Sequence, residues 1–298
     1  MDSSLMFTVL QNNAFNDVLK SFYGKDHQNS PLSPDAGIEE LKTISAEDLR
    51  EFHSKNYGVG SMVVVAVGDV DHKTLSHIIQ QNFAKWKQSP INEKNEVRAG
   101  KPRKGQKYIT MKDKTSSDLV YGIPLSINED HKDFLPLTVG TRALGGAFTA
   151  RLMRKVRVED GLTYGVYSSL TGTTNKSPGT WIAYGTYSPD LLKKGELSME
   201  GVLNSWAESG ITKEELKRMK STIVGSMQVG YDTTGGIARG ILSAAVNRGG
   251  VKYLDDYAKM VDQVTLEQVN MAIKEHIKME NVYKVAAGSI DKEGLPTK

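Results

Sequence analysis

The sequence predicts an α+β fold built from a duplicated unit, on three observations. Short alternating or continuous apolar runs read as strands, and separate amphipathic stretches with capping residues read as helices. The third observation is an internal repeat: TISAEDLREFHSKNYGVGSMVVVAVGDVD (43–71) and QVTLEQVNMAIKEHIKMENVYKVAAGSID (263–291) align without a gap. Gly68 falls against Gly288, Asp71 against Asp291, Glu47 against Glu267 and Ala66 against Ala286, always 220 positions apart. Both segments read helix, strand, Gly, Asp, with Ser45 and Thr265 as equivalent caps. One helix-strand pair could coincide by chance, but the unbroken register over 43–71 makes a duplication the better reading.

Taken in order, Phe7–Leu19 reads as a helix and 27–37 as a loop, from its Pro, Asn, Ser and Gly. Ser45 caps the next helix, with Asp48 at the capping-box position. Met62–Val67 (MVVVAV) is a short continuous apolar run, expected to be a buried strand ending at Gly68. Asp71 opens a helix whose Leu75, Ile78, Ile79, Phe83 and Trp86 form an apolar stripe.

Residues 91–106 lack periodicity and mix Pro, Gly and charge, so they are expected to link two domains, 1–90 and 107–298. Lys101, Arg103, Lys104 and Lys107 could touch an acidic partner there, although a solvated linker is the plainer reading. Strands are then expected near Lys107–Lys112 and Ser117–Ile123, at Thr180–Tyr187 and at Val282–Ala287. Ser188-Pro189 starts a helix towards Trp206, and Thr212 with Glu215 forms a second capping box. Helical patterns follow over Thr234–Asn247, Tyr253–Val261 and Leu266–Lys278. If the second unit starts near Lys107, the repeat spacing puts roughly 110 residues of the first unit ahead of Met1. The domain 1–90 is therefore expected to be incomplete, unable to cover its own hydrophobic face.

The chemistry is expected in Thr141–Ser169, TRALGGAFTARLMRKVRVEDGLTYGVYSS. Leu137, Arg142 and Leu144 lead into Gly145-Gly146, and Phe148, Leu152 and Val156 recur at helical spacing. Glu159-Asp160-Gly161 stops that helix, and a period-2 run from Leu162 to Tyr167 reads as a strand. Arg157 thus stands at a helix exit and Tyr164 early in a strand, seven positions on, joined by a tight turn. An arginine in a last helical turn also complements the helix dipole, and a strand tyrosine usually packs.

LGGAFTARLMRKVRVEDGLTYGVYS resembles the signature of the second domain of the pitrilysin-type zinc peptidases, the inverzincins, which include insulysin and the mitochondrial processing peptidase. Residues 43–71 are similar to the late part of that family's first domain. The resemblance implies two α+β units arranged as a clamshell, each a mainly antiparallel sheet with helices packed on one face. It implies substrate-binding roles for Arg157 and Tyr164, hydrogen-bonding carbonyl oxygens of a peptide, with the phenol near the developing oxyanion. The family's zinc motif H-x-x-E-H belongs to first-domain helices ahead of these residues and does not occur here. The chain is accordingly expected to hold no zinc, to be inactive alone and to bind a peptide or protein substrate. Its expected partner is a second copy or a zinc-bearing homologue; an inactive partner or scaffold subunit is the alternative. A bacterial periplasm or envelope suits the family and the absence of cysteine.

The residues themselves exclude several chemistries. The six histidines are His27, His53, His72, His77, His131 and His276, and no two share an i, i+3 or i, i+4 spacing. His72 and His77 stand about 140° apart round a helix, and His276 pairs in sequence only with Glu280. No metal ligand set is therefore read. With no cysteine, thiolate catalysis, disulfides and Cys-ligated zinc are excluded. There is no G-x-S-x-G elbow, P-loop or G-x-G-x-x-G; Gly235, Gly236 and Gly240 read as close helix packing. A balance of 38 basic to 35 acidic residues does not argue for nucleic acid, and no apolar run approaches the length of a membrane span. A sheet edge near Thr163–Ser169 or Thr180–Tyr187 could accept an extended peptide, unless neighbours cover it.

Overall fold

The structure, a computed structural model, describes residues 9–87, 97–173, 176–248 and 250–297. Five strands form one sheet in the order β1-β5-β2-β4-β3. They are β1 (Gly105–Thr110), β2 (Ser117–Pro124), β3 (Gly165–Thr171), β4 (Thr180–Tyr187) and β5 (Tyr283–Gly288). Every residue of β2 and of β5 is buried, as continuous apolar runs dictate for central strands. All pairings are antiparallel except β1 with β5. Ten α-helices accompany the sheet among the described residues: α1 (Val9–Phe22), α2 (Pro34–Thr43), α3 (Ala46–Asn56), α4 (His72–Phe83), α5 (Phe134–Gly145), α6 (Leu192–Ser209), α7 (Lys213–Gly230), α8 (Thr234–Asn247), α9 (Lys252–Gln263) and α10 (Leu266–His276). The mixed α+β class is as expected.

The chain divides into two compact units, one of Met1–Pro31, Val97–Ile223 and Val261–Lys298, the other of Leu32–Glu96 and Val224–Met260. In the first, α5, α6 and α10 pack on the sheet face that carries Trp181, whose indole stacks on Trp206 of α6 at 5.8 Å. The Trp206 Nε1 donates to the Gly140 carbonyl of α5 at 3.2 Å, so the buried ring keeps its hydrogen bond. Helix α1 adds to the opposite face, where Ala14, Val18 and Phe22 meet Val120, Ile182, Val285 and Ala287. Gly122 makes that approach possible, because a Cβ there would stand 2.4 Å from Val18 Cγ1.

The second unit shows what becomes of the repeat. Helix α3 occupies 46–56 and α10 occupies 266–276, and both carry complete capping boxes, Ser45 with Asp48 and Thr265 with Gln268. Short 3-10 turns follow at Val59–Ser61 and Met279–Asn281. The Val70 amide donates to the Gly68 carbonyl as that of Ile290 does to Gly288. Each of these features keeps the spacing of 220 positions, so the duplication is carried in backbone conformation as well as in sequence.

The equivalence stops at the strand. Segment 283–288 is β5, bonded on both sides, whereas Met62–Val67 forms no strand among the described residues, and Val63 and Val64 are exposed. The expectation of a buried strand there is corrected. An apolar run supplies propensity, but a strand forms only where a neighbour takes its backbone hydrogen bonds. Helices α2, α3 and α4 likewise bury no residue, and Leu41, Leu49, Phe52 and Trp86 all face outward. The loop expected over 27–37 is also shorter than the sequence reading, because Ser33 caps α2 and Pro34 takes its first turn. Gly236 and Gly240 do serve close packing within this unit; a Cβ at Gly240 would meet the Tyr231 ring at 2.6 Å. Of the segment expected as a linker, 91–106, residues 91–96 lie outside the described residues, and Gly105 and Gln106 at its end belong to β1.

A buried charge network crosses the first unit. Lys284 of β5 bonds Glu196 of α6, and its Nζ also lies 2.8 Å from Glu200 Oε1. The Tyr108 hydroxyl of β1 donates to Glu196 Oε1 at 2.9 Å. Burial pushes the Glu196 carboxyl up, but the bonds from Lys284 and Tyr108 outweigh it and hold the group below the usual carboxylate range. Burial draws the Lys284 amine down, and Glu196 and Glu200 outweigh it to leave the amine raised. A depressed carboxyl stabilises the fold above its unfolded pKa and loses that contribution as pH falls through the folded value; a raised lysine stays charged throughout this range. Lys284→Met, which removes the buried cation and leaves Glu196 with Lys193 Nζ at 3.2 Å and the Tyr108 hydroxyl, is expected to cost about 1–3 kcal/mol in urea unfolding at pH 7. The deficit relative to wild type should shrink below about pH 4, where Glu196 protonates in the variant and the wild type loses its pair. An equal deficit at pH 7 and well below pH 4, at about pH 3, would show that the charge pair is not its source.

Candidate functional site

Gly145 and Gly146 set the approach to the site. A Cβ on Gly145 would stand 2.4 Å from the Ser168 amide nitrogen, and one on Gly146 would meet Arg142 Cα at 2.7 Å. Gly145 therefore lets the end of α5 press onto β3, where Ser168 Oγ donates to the Thr141 carbonyl at 2.8 Å. A turn, closed by the Ala150 amide on the Ala147 carbonyl, carries the chain to the next helix and leaves Phe148 66% exposed. The apolar stripe read through Phe148 is thus corrected: Leu152 and Val156 are buried and Phe148 is not.

That helix is wider than the α-type the spacing predicts. Met153–Glu159 is a π-helix, and the Asp160 amide reaches back five residues to the Lys155 carbonyl at 3.0 Å. Gly161, at φ +64°, then reverses the chain in a conformation that favours glycine. The turn is tied on its outer side, where the Asp160 carboxylate takes hydrogen bonds from Lys155 Nζ at 2.8 Å and Ser198 Oγ at 2.5 Å. The bond from Lys155, then that from Ser198, hold the Asp160 carboxyl below its ordinary value. Thr163 Oγ1 accepts from the Gly165 amide at 3.1 Å and donates to Thr186, so β3 starts at Gly165. Tyr164 accordingly lies one residue before β3 rather than within it.

The turn brings the two expected residues together. The Arg157 guanidinium carbon lies 4.5 Å from the Tyr164 ring centre and 5.1 Å from that of Phe148. Tyr164 is 85% exposed. A planar, permanently charged group thus stacks between two aromatic rings that the fold leaves in solvent. Phe148 was not picked out as a site residue by sequence reasoning; the available signal was an aromatic in a small-residue turn with no helical face to bury it. Of the two strand edges considered for peptide addition, β3 has β4 as its neighbour on one side only, whereas β4 is bonded to both β2 and β3. Of these two strands, β3 is therefore the one with a free side in the sheet among the described residues.

The chain has other polar groupings that could be mistaken for this site. A cleft of about 770 Å³ is lined by Arg154, Lys155, Glu159 and Arg218 but not by Arg157 or Tyr164. Its Arg151 is satisfied by Glu215, with Nε and Nη2 each 2.6 Å from a carboxylate oxygen. Glu215 completes the expected capping box, taking the Thr212 amide at 2.8 Å while its own amide donates to Thr212 Oγ1. His276, paired in sequence with Glu280, instead meets Asp133, 143 residues upstream, and His131 in the turn just before it.

The fold is a mixed α+β domain with a mainly antiparallel sheet. Residues 43–223 match the family described as the peptidase M16 inactive domain, and the chain belongs to that family. An uncharacterized zinc protease of Mycobacterium tuberculosis is 26% identical over 265 residues, covering 87% of this chain and 58% of that protein. The mitochondrial-processing peptidase subunit beta of Saccharomyces cerevisiae is 22% identical over 272 residues, covering 85% and 57%. The chain thus spans little more than half the length of these relatives. The structure of a peptidase M16 inactive domain from Pseudomonas fluorescens has the same fold, with TM-score 0.80 and 24% identity over 97% of this chain and 66% of that one.

Gly145→Val is expected to cost about 1–3 kcal/mol, because the added carbons enter the backbone of β3. Tyr164→Ala, which removes an exposed ring, should change stability by no more than about 1 kcal/mol. Urea midpoints of both variants check this; a larger loss on removing Tyr164 would give the ring a packing role.

Proposed function

We propose that this chain is the non-metal part of a zinc-dependent peptidase of the processing-peptidase type, and that it contributes peptide binding. The observation that carries the reading is the stack of Arg157 between Phe148 and Tyr164 at the head of the edge strand β3. Arginine donors in a fixed fork suit the carbonyl oxygens of an extended peptide, and a phenol suits an oxygen on which charge develops. The free side of β3 offers backbone groups for strand addition. Zinc, its water and a general base would come from a homologous unit. The exposed apolar residues of α2–α4 and the 62–67 segment, which forms no strand among the described residues, support such a unit as apolar surface for it to cover.

A second reading is a catalytically inactive subunit that pairs with a zinc-bearing homologue, and the relationship to a protein named as a subunit favours it. The two readings differ in whether the zinc-bearing unit lies in the same polypeptide or in another, and both leave this chain inactive alone.

Peptide hydrolysis by the isolated chain is expected to be absent. Together with a zinc-bearing unit of the family, Tyr164→Phe should lower kcat by about 10²–10³, the usual effect of removing one oxyanion donor, while Arg157→Ala raises KM. Chelator-sensitive turnover by the chain alone, whichever residues hold the metal, would overturn the reading. Wild-type kinetics in both variants would remove the two residues from the site.

A further inference from the structure

We propose that His131, Asp133 and His276 form a binding site for a divalent transition metal of the zinc class. The site is independent of the Arg157–Tyr164 stack and of any zinc held by a homologous unit.

The three side chains come from the two ends of a helix pair. His131 lies in the turn before α5, Asp133 is the N-cap residue of α5, and His276 is the last residue of α10. Gly140 allows α10 to seat closely on α5, since a Cβ there would stand 2.8 Å from Ile273 Cδ1. That packing fixes the C-terminus of α10 against the N-terminus of α5. Asp133 stands at an N-cap, yet its carboxylate makes no capping hydrogen bond. Its Oδ2 lies instead 3.0 Å from His276 Nε2 and 3.8 Å from His131 Nδ1, and one ligand atom from each residue falls within 4.8 Å of the others. The imidazole rings stand edge to face at 5.6 Å, so they share the carboxylate rather than stacking on each other.

Those spacings suit a small cation. With bonds of 2.0–2.1 Å, neighbouring ligands of a tetrahedral zinc ion are about 3.3 Å apart, between the two distances seen here. Three protein ligands leave the fourth position to water. Two imidazoles and one carboxylate favour zinc, nickel or copper over magnesium or calcium, which take oxygen ligands and more of them. The His131 ring now accepts the Asp133 amide at 3.2 Å through Nδ1, and that bond gives way if Nδ1 is the ligand. A bound ion ties the two helix ends together and stabilises the fold without taking part in hydrolysis.

Isothermal titration of the untagged full chain with zinc chloride, beside a magnesium control, tests the proposal. One zinc per chain, removable by chelator, is expected, and at a hundredfold excess over Kd the melting temperature should rise by about 5 °C. His131→Ala removes a partly exposed ring and leaves no core cavity; it should keep the fold, lower zinc affinity at least tenfold and abolish the shift. Asp133→Asn should behave likewise. Zinc uptake that is unchanged in both variants, or a folded wild-type chain that takes up none, overturns the site. Substoichiometric uptake insensitive to these substitutions assigns the binding to other surface histidines and overturns it equally. Loss of peptide turnover in the paired enzyme does not bear on this site, because its readout is binding and melting of the chain alone.

Discussion

A strand needs neighbours, and most of this structure depends on that requirement being met at β5. Lying between β1 and β2, β5 has both rows of its backbone groups taken up, and all six of its residues are buried. Its burial gives α1 one face to rest on and places Lys284 beside Glu196 on the other. The copy of the same sequence pattern 220 positions earlier shows what the pattern achieves without those neighbours. Helix, caps, 3-10 turn and the hydrogen bond beyond the glycine are all reproduced, because each is closed by residues within a few positions. The strand is not reproduced, because its partners are non-local. Local physics therefore survives duplication intact, while the sheet depends on what the surrounding chain supplies.

The same division explains which features could be read from the sequence. Thr180–Tyr187, Thr234–Asn247 and the capping boxes at Ser45, Thr212 and Thr265 match expectation because periodicity and caps act over one or two turns. The failures have local causes of a different kind. Phe148 has the right spacing for a helical stripe, but the turn at Ala147–Ala150 rotates it out of phase. The helix after it widens to a π-helix, and a period of 3.6 cannot announce a change in its own value. The candidate site was half legible. Arg157 and Tyr164 were identifiable as a pair seven residues apart, whereas the part played by Phe148 follows from a fold in which that ring has nothing to cover it. His131, Asp133 and His276 were not legible, since 143 residues separate the last two and no helical spacing connects them.

The Arg157 stack stands apart from the interactions that hold the fold. A guanidinium between two solvent-facing rings adds little to stability, because both rings and the charge remain hydrated and cation–π attraction at an exposed site is worth roughly 0.5–1 kcal/mol. The construction around it is nevertheless demanding. It uses two adjacent glycines with no room for a Cβ, a stretch of π-helix, a glycine at positive φ and a carboxylate tied by lysine and serine. Each of these limits the backbone to one path, and that path ends with a charged fork and a phenol held side by side next to a sheet edge. A fold that needed only to bury its core could reach β3 by a simpler turn. That side-by-side placement is what the proposed peptide-binding role asks of the backbone, and the proposed scaffold role would not ask for it.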